Sequence, residues 1–299
     1  MKLCKWLLLI VLLSACSSSQ AAKNQEYPTP TETTPSPTKD QIRMPQADGT
    51  VILGDDLIEI DASHSQQGYI MVRALQSDRP RLKLKLIKDE YEVPYDIEQD
   101  QQYITIPLTQ GSGTYQIKGY ENIEDTRYAV LFTVELQVSL AEETLPFLYP
   151  NQVVDYTPES DAVQKSFELT ADCTTELQRV KKIYEFVVDH VEYDWNKVDE
   201  VQGHYVLPVV DETLAEGRGI CFDYAALMSA MLRVQQIPTR LITAYVDEGY
   251  HAWVEVYVQN EGWINPEILF ESRQWTRMDP TYASVGMNYK GQYQDKYRY

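Results

Sequence analysis

Four histidines and four cysteines among 299 residues leave little material for a metal centre or a dense disulfide framework. His64, His190 and His204 stand apart, without a second ligand at a useful spacing, so no metal site is expected and all three read as packing or surface residues. Positive charge is scarce as well. Lys and Arg number 26 against 45 Asp and Glu, and the net charge of −19 argues against nucleic acid or an anionic lipid surface as an electrostatic partner. No calcium-binding loop and no nucleotide-binding motif occurs, and no cofactor is expected. No apolar run is long enough to span a bilayer.

What is present begins with the N-terminus. Lys2 and Lys5 flank the start of a short apolar stretch, Trp6 to Leu13, which is too short for a transmembrane helix and reads as an export signal. Leu13-Ser14-Ala15-Cys16 follows, a tetrad that resembles a bacterial lipobox. That resemblance implies cleavage before Cys16, lipidation of its sulfur, and an extracytoplasmic protein held on the cell membrane. The alternative is a simple cleaved signal with an incidental cysteine. Residues 16–46 are rich in Ser, Thr, Pro and Gln, cannot bury enough apolar surface to order themselves, and read as a disordered tether.

Residues 47–144 read as all β. Tyr69 to Leu75, Leu82 to Leu86, Tyr103 to Leu108, Tyr115 to Tyr120 and Tyr128 to Val138 are short segments of alternating or β-branched and aromatic character. Turn signals such as Gly111-Ser112-Gly113 separate them at fairly regular spacing, which predicts a β-sandwich of immunoglobulin-like size. Twenty-two tyrosines suit that reading. Residues 145–299 mix the two periodicities, giving an α+β chain overall. Leu177, Val180, Tyr184, Val187 and Val188 predict an amphipathic helix, with Asp172 or Thr174 as N-cap.

The chemistry concentrates around Gly217-Arg218-Gly219-Ile220-Cys221, a Gly-rich turn running into an apolar helical pattern that ends at Ile237-Pro238. Cys221 falls in the first turn of that helix, where unpaired amides and the helix dipole favour negative charge and suit a thiol nucleophile. A disulfide with Cys173 is the competing, purely structural use of Cys221. His251 opens the strand pattern 251–258, in which His251, Trp253, Glu255 and Tyr257 share one face and Ala252, Val254, Val256 and Val258 the other. The valine face belongs to the core, so His251 is expected to point toward a helix or cleft. Asp279 stands in Met278-Asp279-Pro280-Thr281, and Asn265, in Trp263-Ile264-Asn265-Pro266, is the alternative orienting residue.

Gly219-Ile220-Cys221-x-Asp223-Tyr224-Ala225, Arg233-x-x-x-Ile237-Pro238-x-Arg240, His251-Ala252-Trp253-x-Glu255-Val256-Tyr257 and Trp275-x-x-Met278-Asp279-Pro280-Thr281 together resemble the transglutaminase-like superfamily over residues 165–285. The resemblance implies a papain-like Cys221, His251, Asp279 site performing acyl transfer through a thioester, without a cofactor or metal. Tyr193 and Trp195 are weaker candidates for an oxyanion contact beside the Cys221 amide. Three functions follow from it. They are a cell-surface peptidase or amidase acting on protein or peptide amides, a cross-linking transglutaminase, and a non-catalytic protein-binding module on the same fold.

Overall fold

A computed structural model describes residues 33–77, 80–201, 206–246, 249–259, 262–264 and 294–299. The signal segment 1–15, Cys16 and the first half of the tether lie outside this range, as do His204, Asn265 and Asp279.

The strands between Ile52 and Val138 form two packed sheets, a sandwich. One antiparallel sheet contains β1 (Ile52–Gly54), β2 (Ile58–Asp61), β3 (Tyr69–Ala74) and β6 (Ile104–Pro107) in that order. The other has the order β5-β4-β7-β8, from β4 (Leu82–Lys88), β5 (Tyr91–Ile97), β7 (Gly113–Glu124) and β8 (Arg127–Val138). Alternation decides the inner faces: Leu82, Leu84 and Leu86 are buried while the intervening lysines are not. They join Ile58, Ile60, Ile70, Val72 and Ile106 of the facing sheet in one core. Full burial of each such side chain contributes about 1.5–3 kcal/mol before chain entropy is set against it. Three strands exceed the sequence expectation. β5 contains Pro94, which lacks a donor N–H, and it is tolerated because β5 is an edge strand.

The second half places helices on a sheet. α1 (Asp161–Thr170) and α2 (Glu176–His190) pack with α5 (Cys221–Arg233), and α4 (Val210–Glu216) leads into it. The N-cap of α2 is Thr175, one residue beyond the expected choices, because its hydroxyl accepts the Gln178 N–H at 3.2 Å. The sheet runs β13 (Gly262–Ile264), β12 (Gly249–Val258), β11 (Thr239–Val246), β14 (Gln294–Arg298), with every described pairing antiparallel. β14 is an edge strand of this sheet. All 13 residues of α5 are buried, so this helix is the axis of the domain.

The tether is not free up to residue 46. Thr34 N–H donates to Thr174 O at 3.0 Å, Ser36 Oγ to Cys173 O at 3.0 Å, and Arg43 Nε to Gln236 Oε1 at 3.1 Å. Ile42 and Met44 pack against the core. Backbone groups, which a compositional reading ignores, supply much of this docking.

Candidate active site

Two parallel strands aim two helices at one place. β9 (Glu192–Tyr193) pairs with β10 (Arg218–Gly219), Glu192 opposite Arg218 and Tyr193 opposite Gly219. Flanking amides extend the pairing: Glu192 N–H donates to Gly217 O at 2.8 Å and Asp194 N–H to Gly219 O at 2.9 Å. Each strand then turns into a helix, α3 (Trp195–Glu200) and α5, whose first residues are Trp195 and Cys221. The contact that joins the two helices is Lys197 Nζ of α3 on Asp223 of α5, at 2.8 Å. Gly217 makes the turn ahead of β10 possible, since its φ of 61° is left-handed and its place closes α4.

The start of α5 is fixed by a carboxylate rather than a hydroxyl. Asp223 Oδ2 accepts the Ile220 N–H at 2.9 Å and receives Lys197 Nζ of α3 at 2.8 Å, while Asp223 itself is buried. This holds an acidic group in the first turn, favourable to the helix dipole, and ties α3 to α5. Cys221 is 8% exposed and is a free thiol, as is Cys173, so the disulfide alternative falls away.

His251 is 7% exposed on β12 and sits opposite Ala244 of β11. The strand pattern is as expected, and the valine face does join the core. Ala252, Val254 and Val256 share the core cluster of α5, whereas Trp253 joins Ile242 and Ala244 in a separate buried cluster on the other side. Both faces of this sheet are covered, so burial of the valines does not distinguish the helix side from the far side. α5 and the strand that leaves its end are matched in length. Arg233 Nε, at the end of α5, donates to Thr239 O at 3.0 Å, which returns β11 along the helix. Twelve helical steps from Arg233 to Cys221 span about 18 Å. Five strand steps from Thr239 to Ala244 span about 17 Å. The helix and the strand segment that ends opposite His251 are therefore of matching length.

Asp279 and Asn265, the candidate orienting residues, lie outside the described residues. Tyr193 is half-buried and meets Trp195 edge-on at 4.6 Å between ring centroids; Trp195 is 64% exposed at the rim. Among the described residues no group of three or more His, Cys, Asp or Glu is placed to hold a metal ion, and no helix is long and apolar enough to cross a membrane. His190 is stacked on Phe186 with Nε2 2.7 Å from Leu214 O, and His64 Nε2 lies 2.8 Å from Asp48.

Sequence reading named Arg233, Arg240 and Glu255 as motif positions and gave none of them a role. Arg233 is wholly buried and donates to the carbonyls of Thr239, Tyr149 (2.7 Å) and Tyr299 (2.9 Å). Burial pulls its guanidinium down to about 10, against the favourable influence of Tyr156. Arg240 grips Glu255 from the neighbouring strand and lies over the Trp263 ring at 4.3 Å. The signal was available: an arginine following Met231-Leu232 on an otherwise apolar helix announces a buried charge.

Residues 163–280 match the model of the transglutaminase-like superfamily, which gives the second half of the chain a transglutaminase-like domain. No curated protein sequence matches the chain significantly. Among solved structures, a candidate cysteine protease from Cytophaga hutchinsonii aligns at 18% identity over 77% of this chain and 91% of its own, with a TM-score of 0.37. Red sea bream transglutaminase aligns at 15% identity over 76% of this chain and 56% of its own, with a TM-score of 0.29. The fn3 domain of human collagen alpha-1(XX) aligns at 11% identity over 32% of this chain and 92% of its own, with a TM-score of 0.23. The family match alone carries the assignment.

Proposed function

We propose that the transglutaminase-like domain of residues 163–280 is a thiol acyl-transfer enzyme, a peptidase or amidase acting on protein or peptide amides at the cell surface. The observation that carries this reading is a free, buried Cys221 opening the buried helix α5 inside the family match, with His251 following on the buried strand β12. In the proposed reaction His251 accepts the Cys221 proton. The sulfur attacks the amide carbon, the C–N bond breaks, and the amine leaves with the proton from His251. Water attacks the resulting thioester, releasing the acid and restoring the thiol. The helix-start amide of Cys221 is suited to the oxyanion, and Asp279, or Asn265 in its place, would orient the imidazole. No step calls for a metal or cofactor.

The lipobox-like Leu13-Ser14-Ala15-Cys16 supports a lipid anchor outside the cytoplasm, which would confine the enzyme to partners at the membrane surface. Mass measurement of the N-terminal peptide tests this part alone: a diacylglyceryl adduct on Cys16 is expected, and an unmodified Cys16 overturns it.

The chemistry is tested by iodoacetamide labelling of Cys221 at neutral pH, followed by peptide mass spectrometry, in the wild type and His251→Ala. Rapid labelling that depends on His251 is expected. A Cys221 that is inert or indifferent to His251 moves the reading to a binding module. Incubation with amide-bearing proteins and a fluorescent amine then separates the reactions: released acid marks hydrolysis, and amine incorporation marks cross-linking.

A further inference from the structure

The docked part of the tether touches three places that have one thing in common. Thr34 and Ser36 bond to Thr174 and Cys173, at the start of α2, and the guanidinium of Arg179 donates back to Thr34 O at 3.2 Å. Lys39 bonds to Gln164 of α1. Gln41 O accepts from Gln236 Nε2 at 2.9 Å, and Arg43 bonds to the same Gln236, in the turn that follows α5. The segment then crosses to the sandwich, where Gln46 N–H donates to Tyr69 Oη at 3.1 Å and Gly49 N–H to Asp61 at 2.6 Å.

α2 and α5 are antiparallel neighbours. The end of α2 meets the beginning of α5, for Tyr224 Oη bonds to Val191 O and Glu192 pairs beside Gly217. The start of α2 and the exit of α5 therefore share the opposite end, and every contact of residues 34–43 falls there or on adjoining α1. The sandwich reaches the second half near the same end. Tyr91 Oη lies 2.8 Å from Arg298 N and 3.3 Å from Arg298 O, next to the Leu241–Tyr299 pairing at the start of β11. Cys221 stands a helix length away, about 18 Å.

We propose that residues 34–46 are a clasp that joins the sandwich and the transglutaminase-like domain into one body and fixes the exit of the upstream chain at the end opposite Cys221. The clasp itself rests on neither the anchor nor the chemistry, and its test reads neither.

Hydrogen exchange and amine cross-linking on the full chain test it with native residues. Peptides covering 34–46 are expected to exchange at least about tenfold more slowly than an unstructured chain. Lys39 is expected to cross-link to Lys165 of α1 and not to Lys197 of α3, beside Cys221. The double variant Arg43→Ala, Gln236→Ala is expected to speed exchange over 41–46 about fivefold or more. Exchange of 34–46 at the free-chain rate overturns the clasp, as do Lys39–Lys197 links as abundant as Lys39–Lys165 links. A double variant indistinguishable from wild type overturns it too.

Discussion

Gly219 leaves its side-chain space to Asp223: a Cβ at Gly219 would stand 2.6 Å from the Asp223 Cβ and 3.0 Å from Oδ2. The same carboxylate sets the start of α5, so crowding it disturbs the residue between them, Cys221. Gly219→Ala is expected to cost about 1–3 kcal/mol of stability. Urea denaturation measures this, and iodoacetamide labelling of Cys221 should slow in the folded variant. An unchanged midpoint would contradict the close approach.

Asp223 answers to two partners, the Ile220 amide and Lys197. Asp223→Ala removes a buried acceptor and is expected to destabilise by about 2–4 kcal/mol. Lys197→Met spares the helix cap and should cost less, about 1 kcal/mol, since the lysine is partly solvated. Thermal melts of the two variants and of their combination give the coupling directly.

Arg233 is the largest commitment in the second domain. Arg233→Ala would strand three buried carbonyls on the connector, on β11 and at Tyr299, and is expected to cost about 3–5 kcal/mol. Lysine keeps the charge but not the planar fork that spans three acceptors, so Arg233→Lys should recover only part of the loss. Full recovery in a denaturation series would show that charge alone matters.

Stability should also fall in acid through Asp61. Burial opposes ionisation of this carboxyl, yet hydrogen bonds from the Ser63 side chain and amide and from the Gly49 amide outweigh it and hold it below the usual carboxylate value. A depressed acid contributes stability that is present above its unfolded value, about 3.9, and is lost as pH falls through the folded one. Asp61→Asn is therefore expected to be less stable than wild type by about 1–2 kcal/mol at pH 7. The gap should narrow steadily below about pH 4.

Cys173 supplies an internal contrast to Cys221. Burial raises its thiol above the ordinary range, with nearby Lys182 and Arg179 opposing and Asp172 reinforcing the shift. Its alkylation is thus expected to remain slow at neutral pH and to go on increasing beyond about pH 9. Labelling at pH 7 equal to that of a free peptide cysteine would show that the site is open.

The site was legible where chemistry and local pattern coincide. Gly219-Ile220-Cys221 announces a helix start, and His251 opens a strand whose alternation reads without ambiguity. The side of the sheet on which His251 lies was not legible, because both faces are covered and alternation has no sign. β5 escaped notice for a related reason: Pro94 and its charged neighbours look like loop until an edge position accommodates them. The docked tether had no sequence signature at all. Much of its docking uses backbone groups that every residue carries, the carbonyls of Cys173 and Thr174 on the body and those of Thr34 and Gln41 on the tether.

β14 bears on how the chain assembles. The sandwich is built mainly of neighbouring strands and can close early, whereas among the described residues β11 pairs with nearby β12 and, on its other edge, with residues 294–298. Tyr299 then supplies the carbonyl to Arg233 and pairs with Leu241. Such a high-contact-order step comes late and leaves a strand edge exposed meanwhile. Refolding should show the sandwich forming first and the thiol-bearing half last, with aggregation most acute between the two.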